Sequence, residues 1–243
     1  MARIAYDDAD AAAFEAARHL TDDGLAAWRT AVARHLSPRP GMRVLDLGAG
    51  TGRWARAFTT WFPGIEVLAV EPSEAMRTRS VFAPVVAGDA AHLPLDDDSV
   101  DGAWMSTVIH HVPDLAAAAH ELRRVLRPGA PLLIRSAFAG RHEGITLFRW
   151  FPEAIRVLDT YPSIAEVEDA FSRAGFETAA LEQIPQTTAA SLREAATALR
   201  RDAHTPLKLI TDDEYAAGLR RMHEGTRVEN RPVVDVLDLL VLR

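Results

Sequence analysis

Between Asp46 and Glu71 the chain carries residues whose types and spacing suit them to hold a polar ligand. Asp46-Leu-Gly-Ala-Gly-Thr-Gly sets glycines at the alternate positions 48, 50 and 52, with Ala49 between the first two. Three glycines so spaced let the backbone turn tightly and let a ligand approach without a Cβ in the way. Residues 53–58 continue as a helix, whose N-terminus offers unpaired N–H groups to that ligand. A second apolar stretch, 65–70, ends in Glu71, roughly 25 positions after Asp46, where a doubly wound sheet places a ribose-binding acid. Strand, glycine loop, helix, strand and acid describe a nucleoside site.

Other groups could also do chemistry. Asp96-Asp97-Asp98 puts three carboxylates in a row, but consecutive side chains point apart and repel, whereas a hard cation needs convergent oxygens. A solvated turn is the expectation there. His110 and His111 are adjacent imidazoles that titrate near neutrality. Two neighbouring side chains diverge, so at most one is expected to face a pocket, and no third ligand stands nearby to make a metal site. No metal is expected.

The elements that must position these groups follow from the hydrophobic pattern. Val44, Leu45 and Leu47 read as a short buried strand. Further strands are expected over 84–87, 102–108, 131–138, 176–184 and 232–242. Alanine-rich helices are expected over 11–17 and 26–33, separated by a break and N-cap at Thr21-Asp-Asp-Gly24 and stopped by Ser37-Pro-Arg-Pro-Gly41. Asp114 caps a helix over 115–126 whose Leu115, Ala118, Ala119, Leu122, Val125 and Leu126 form one apolar face. Helices are also expected over 73–80, 163–174, 188–201 and 211–222. Strands alternating with helices predict an α/β fold with a mostly parallel sheet.

Composition narrows the function. At 243 residues and 48% hydrophobic the chain can bury a large core in one domain. A net charge of −7 and the lack of a basic run speak against a nucleic-acid partner. There is no cysteine, hence neither a disulfide nor a thiolate metal site. The polar N-terminal stretch does not read as a signal peptide, and apolar runs fall short of the ~20 residues of a membrane span. The expectation is a soluble cytoplasmic protein that engages no membrane.

The glycine spacing differs from the dinucleotide fingerprint Gly-x-Gly-x-x-Gly. The string Asp46 to Gly52 resembles motif I of the class I S-adenosylmethionine-dependent methyltransferases. The resemblance continues in order through Glu71-Pro72-Ser73, Gly88-Asp89-Ala90 with Leu93-Pro-Leu95, Asp101-Gly-Ala-Trp104 leading to Ile109-His-His-Val112, and Leu122-Arg-Arg-Val-Leu-Arg-Pro-Gly129. It covers roughly residues 43 to 135 tightly and the rest loosely. What the resemblance implies is a Rossmann-like, doubly wound seven-stranded sheet, with helices on both faces and a helical cap. The last strand would lie antiparallel beside strand six at the far edge.

It implies a single domain over 1–243: an N-terminal helical lid (1–40), a cofactor-binding half (41–138) and cap inserts (139–162 and 185–231). The cofactor would be S-adenosyl-L-methionine, with S-adenosyl-L-homocysteine as product. Asp46, Gly48, Ala49, Gly50, Gly52, Glu71, Pro72, Met76, Asp89, Ala90 and Ser106 would bind it, Glu71 on the ribose, and Asp89 with the Ala90 N–H on the adenine. Met76 would rest on the adenine face or simply pack. Ser106, His110 and His111 stand at the strand-four end, near where the methyl group would be delivered. One histidine could act as general base, or the pair could merely position the next helix. Tyr6 and Phe14 on the lid, with Phe148 and Trp150 on the insert, would line the acceptor pocket or serve as packing. Arg135 is expected at the surface, with pairing to a substrate carboxylate as the other reading. The insert 139–162 could instead cover the sheet edge or form a homodimer surface.

The implied function is methyl transfer to O, N or C of a small, partly apolar metabolite, in secondary metabolism or quinone or lipid modification. The alternatives are an S-adenosylmethionine-binding protein of the same fold that transfers nothing, or an NAD-dependent oxidoreductase. The last lacks a Tyr-x-x-x-Lys pair, since no lysine follows Tyr6, Tyr161 or Tyr215 at that spacing.

Overall fold

The computed structural model describes residues 23–243; Tyr6, Phe14 and the helix expected over 11–17 lie outside them. Helix α1 (Ala26–Leu36) has Leu25 at its N-cap with no side-chain capping bond. The cap expected at 21–24 is thus not made by Asp23, which accepts the Ala26 N–H through its backbone carbonyl instead. Burial of Trp28, Val32 and Leu36 holds the helix, as tertiary packing does for most short helices.

The chain continues through β1 (Arg43–Leu47), α2 (Arg53–Trp61), β2 (Glu66–Val70), α3 (Glu74–Thr78), β3 (Val85–Val86), β4 (Gly102–Ser106), α4 (Leu115–Val125) and β5 (Leu132–Ser136). Then come α5 (Thr146–Trp150), α6 (Ile155–Leu158), α7 (Ile164–Ser172), β6 (Thr178–Ala189), α8 (Leu192–Ala198), α9 (Thr205–Lys208), α10 (Asp212–Gly225) and β7 (Val233–Leu242). Asp114 caps α4 as expected, and Ser163 and Thr211 close capping boxes with Glu166 and Glu214. Each such cap is worth about 1 kcal/mol.

One seven-stranded sheet results, ordered β3-β2-β1-β4-β5-β7-β6, with β7 antiparallel to both neighbours. The expected antiparallel last strand is present beside strand six, but one place in from the edge; β6 takes the edge. β6 also runs five residues past its expected end, because Pro185–Ala189 keep pairing with β7 up to Val233. The second insert therefore starts after residue 189, and the helix expected over 188–201 shrinks to α8 with Ser191 as its cap. Strand order reverses between β1 and β4. That switch point opens a crevice at the carboxyl ends of the strands.

Helices cover both faces, which is why the central strands are apolar on both sides. α4 and α7 pack on one face. On the other, α1 and α2 set Trp28, Phe58 and Trp104 in edge contacts, all fully buried. The inserts form a cap with a core of its own around Phe148, Trp150, Phe151, Leu158, Tyr161 and Met222. Surface ion pairs Arg156–Glu214 and Arg221–Glu153 join α10 to the first insert. Arg141 grips Asp238 of β7 through two bonds of 2.7 Å, anchoring that insert to the sheet. No helix among the described residues is long and apolar enough to cross a membrane.

Candidate functional site

The loop after β1 places Gly48, Gly50 and Gly52 in the left-handed region, at φ of 70°, 56° and 74°. The N–H groups of Gly48 and Ala49 donate to the Val70 carbonyl at 2.8 and 3.1 Å. The Gly50 N–H donates to Glu71 Oε2 at 2.9 Å, and the Ser73 N–H to Oε1 at 2.8 Å. Glu71 thus holds the glycine loop against the end of β2. A carboxylate accepts at about four positions, so the two bonds leave capacity for a ribose hydroxyl. Burial raises the Glu71 carboxyl above its ordinary range. A Cβ at Gly48 would strike the Val108 side chain at 2.4 Å, whereas one at Gly50 would meet nothing within 4 Å. Gly50 faces open space, as close backbone approach to a ligand requires.

Asp46 lies beneath this loop, 1% exposed. Burial pushes its carboxyl up to about 7; the Ala55 N–H pulls it down, and the Glu71 charge adds a further upward push. Its Oδ2 has no hydrogen-bond partner among the described residues. Asp46 thus holds a buried carboxyl beneath the loop, bonded to the Ala55 N–H.

A cavity of about 710 Å³ runs from the glycine loop to the cap. Gly48, Ala49, Gly50, Ser106, His110 and His111 line its sheet end, and Phe148 and Trp150 its cap end. Eight of the residues read from the sequence thus meet around one space. β4 stops at Ser106, Thr107 takes a left-handed turn (φ 56°), and Ile109–His111 form a 3₁₀ turn. Both histidines line the cavity, which corrects the expectation that one would turn away. Tyr161 of the first insert stacks flat on His110 (4.0 Å, 5°), and the two imidazoles are 4.1 Å apart. Stacking from the cap holds the pair on the cavity side.

Arg135 corrects a second expectation. It is 4% exposed, not a surface residue. Its guanidinium lies over Trp28 and Trp54 at 4.9 and 5.3 Å, donates from Nη1 to Ser106 Oγ at 3.0 Å and from Nη2 to Gln186 Oε1 at 2.6 Å. A cation at the end of a strand is buried here because α1 and the long β6 close over it. Sequence reading missed Tyr161 as a positioning group, and missed Gln186 and Asp235 altogether. Their alternation along β6 and β7 carries the only signal, and it is readable only once the register is known.

The remaining expected residues stand off this cavity. Gly52 backs onto Ser80 and Phe82. Pro72 is exposed, Met76 is buried and Ala90 is buried. Asp89 uses Oδ1 to accept the Ala91 and His92 N–H groups at 2.8 and 3.0 Å, a turn-forming pattern. Of the aspartate run, Asp97 pairs with Arg124, and no cluster of three metal-ligating side chains exists among the described residues.

A family model described as a methyltransferase domain matches residues 45–134, β1 through β5. The chain is 38% identical over 117 residues to the ubiquinone/menaquinone biosynthesis C-methyltransferase of Paracoccus denitrificans, covering 44% of this chain and 47% of that one. It is 39% identical over 124 residues to the malonyl-[acyl-carrier protein] O-methyltransferase of Methylococcus capsulatus, covering 45% of each. The chain spans about half the length of the curated relatives it matches. Among solved structures, a putative methyltransferase from an antibiotic biosynthesis pathway of Anabaena variabilis shares the fold. It shows a TM-score of 0.66 and 23% identity, over 88% of this chain and 96% of that one. Residues 45–134 are thus similar to a methyltransferase domain, and the sheet that carries them has the fold of solved methyltransferase structures.

Proposed function

We propose that this protein methylates O, N or C of a small, partly apolar metabolite in the cytoplasm, as a step of secondary metabolism or of quinone or lipid modification. The observation that supports this best is the single cavity joining the glycine loop to an aromatic cap. Its volume of about 710 Å³ falls in the roughly 300–1,000 Å³ of small-molecule sites. The residues present fit the cofactor: Gly50 leaves the open approach, Glu71 has acceptor capacity for the ribose, and Ser106 stands at the switch point. In the proposed complex Asp89, the Ala90 N–H and Met76 hold the adenine, with Pro72 beside the ribose acid.

S-adenosylmethionine supplies an already activated methyl group, so the protein's part is alignment and exclusion of water. Phe148 and Trp150 hold the apolar body of the acceptor. His110 and His111 are the groups placed to take a proton from an acceptor that must lose one. A net charge of −7 favours a small molecule over nucleic acid as partner.

The test is calorimetric titration with S-adenosylhomocysteine and, separately, NAD, followed by transfer of a labelled methyl group to an acceptor panel. Micromolar S-adenosylhomocysteine binding, lost in Glu71→Ala, with no heat from NAD, is the expected result. Binding without transfer to any acceptor would leave only the non-transferring alternative, and NAD binding in its place would sink both.

A further inference from the structure

β6 and β7 are longer than the strands they join. β5 ends where Ser136 faces Asp238, while β7 begins five residues earlier at Val233 and remains paired to β6 throughout. The β6–β7 ribbon therefore overhangs the carboxyl end of the parallel sheet and forms a side of the cavity. Period-two alternation sends Val233, Asp235 and Leu237 of β7 to that side, with Gln186 and Thr188 of β6. Two of these are out of place in an apolar wall. Gln186 and Asp235 are direct cross-strand partners, so their Cβ atoms are ~5 Å apart and their polar ends can share one ligand atom.

Each member of the pair has a defined hydrogen-bonding sense. Gln186 Oε1 accepts from Trp28 Nε1 at 3.0 Å and from Arg135 Nη2 at 2.6 Å. Both partners are obligate donors, so the oxygen is the atom that faces them and the amide NH₂ is left to donate. Asp235 Oδ1 accepts the Thr146 N–H at 2.8 Å. The Thr146 and Thr188 hydroxyls also bond to this carboxyl, and the charge of Arg135 acts on it, while burial raises it above the ordinary carboxyl range. These three bonds leave about one of a carboxylate's roughly four acceptor positions, and Asp235 lines the cavity.

We propose, on the reading that this cavity takes the acceptor, that Gln186 and Asp235 are specificity-determining residues that bind a hydroxyl group on it, Gln186 donating to the oxygen and Asp235 accepting its proton in a hydrogen bond. A hydroxyl satisfies both at once. An ammonium offers nothing to the amide and is repelled by the Arg135 guanidinium; a carboxylate is repelled by Asp235. The acceptor class is thus an apolar ring or chain, held by Phe148 and Trp150, that ends in a neutral hydroxyl.

Two isosteric probes separate this from plain apolar burial: 2-naphthol and 2-methylnaphthalene, titrated into the full chain with and without S-adenosylhomocysteine. An apolar wall favours the methyl compound, whereas a site built to hydrogen-bond rejects the analogue lacking the group. The expected result is at least tenfold tighter binding of 2-naphthol to the wild type. Asp235→Leu should bring the ratio below threefold with S-adenosylhomocysteine affinity unchanged. Asp235→Asn keeps an oxygen for the Thr146 N–H and serves if the leucine variant fails to fold; it should lower the preference about threefold. Equal binding of the probes, no binding of either, or a preference that survives both substitutions would overturn the proposal. A wild type that shows no hydroxyl preference while still binding S-adenosylhomocysteine defeats this inference alone, whereas absent S-adenosylhomocysteine binding defeats the proposed function.

Discussion

The sheet half and the cap are built by different means. In the sheet half, positions are set by backbone: parallel ladders, three left-handed glycines, and a carboxylate gripping the Gly50 N–H. In the cap, positions are set by side chains from distant stretches. Phe151 stacks on Tyr215, Tyr161 on His110, and Arg156 reaches Glu214. Backbone devices leave local signatures in sequence; interdigitated side chains leave almost none. Similarity to the family follows the same line, since the matched residues 45–134 stop before the first insert. On the proposed function, cofactor binding falls to the half with a strict local grammar.

Three measurements test that contrast. Phe151→Ala removes a fully buried ring from the cap core and should cost about 3–5 kcal/mol of stability by urea unfolding. S-adenosylhomocysteine affinity should stay within about threefold, and a large loss would show the two halves to be one unit. The second concerns pH. With Asp46 ionising at 3.8 when unfolded and about 7 when folded, the native state binds the proton more tightly. Its contribution is fully present below about 3.8 and is lost as pH rises through about 7. The stability difference between wild type and Asp46→Asn should therefore shift by about 4 kcal/mol between pH 4 and pH 8, in favour of the variant at high pH. A flat difference would mean that Asp46 is not buried as a carboxyl. Smallest in free energy, Gly50→Ala should weaken S-adenosylhomocysteine about tenfold, about 1.4 kcal/mol. Its Cβ meets nothing within 4 Å, but a side chain at φ 56° also costs the fold about 1–2 kcal/mol, so urea unfolding is measured beside the titration.

Much of the sheet half was legible. Glycine spacing marked the loop, the apolar run ending in Glu71 marked β2, and Asp114 marked the start of α4. Arg135 was misread because a charged residue at a strand end is normally solvated, and only the fold brings Trp28 and Gln186 over it. The histidines were expected to part because adjacent side chains usually do; Tyr161, fifty residues on, holds them together. Asp235 went unnoticed because Val233–Leu242 reads as a plain apolar strand, and its overhang past β5 depends on pairing with β6. Pro72, Met76, Asp89 and Ala90, expected to bind the cofactor, lie off the cavity.

The placement of β7 has a consequence for how the protein is made. This strand is the last to be synthesised of the seven, yet it lies inside the sheet, with Leu239 to Leu242 at most 1% exposed. Until it leaves the ribosome, β5 keeps a bare hydrogen-bonding edge and β6 has no neighbour at all. Such edges invite pairing with other chains. The glycine loop can form early, but the Gln186–Asp235 pair and the Arg141–Asp238 anchor come into being only when β7 slots home. The proposed hydroxyl site therefore forms only after β7 is made, and a ribosome that stalls short of Val233 leaves β5 with an open edge and β6 unpaired.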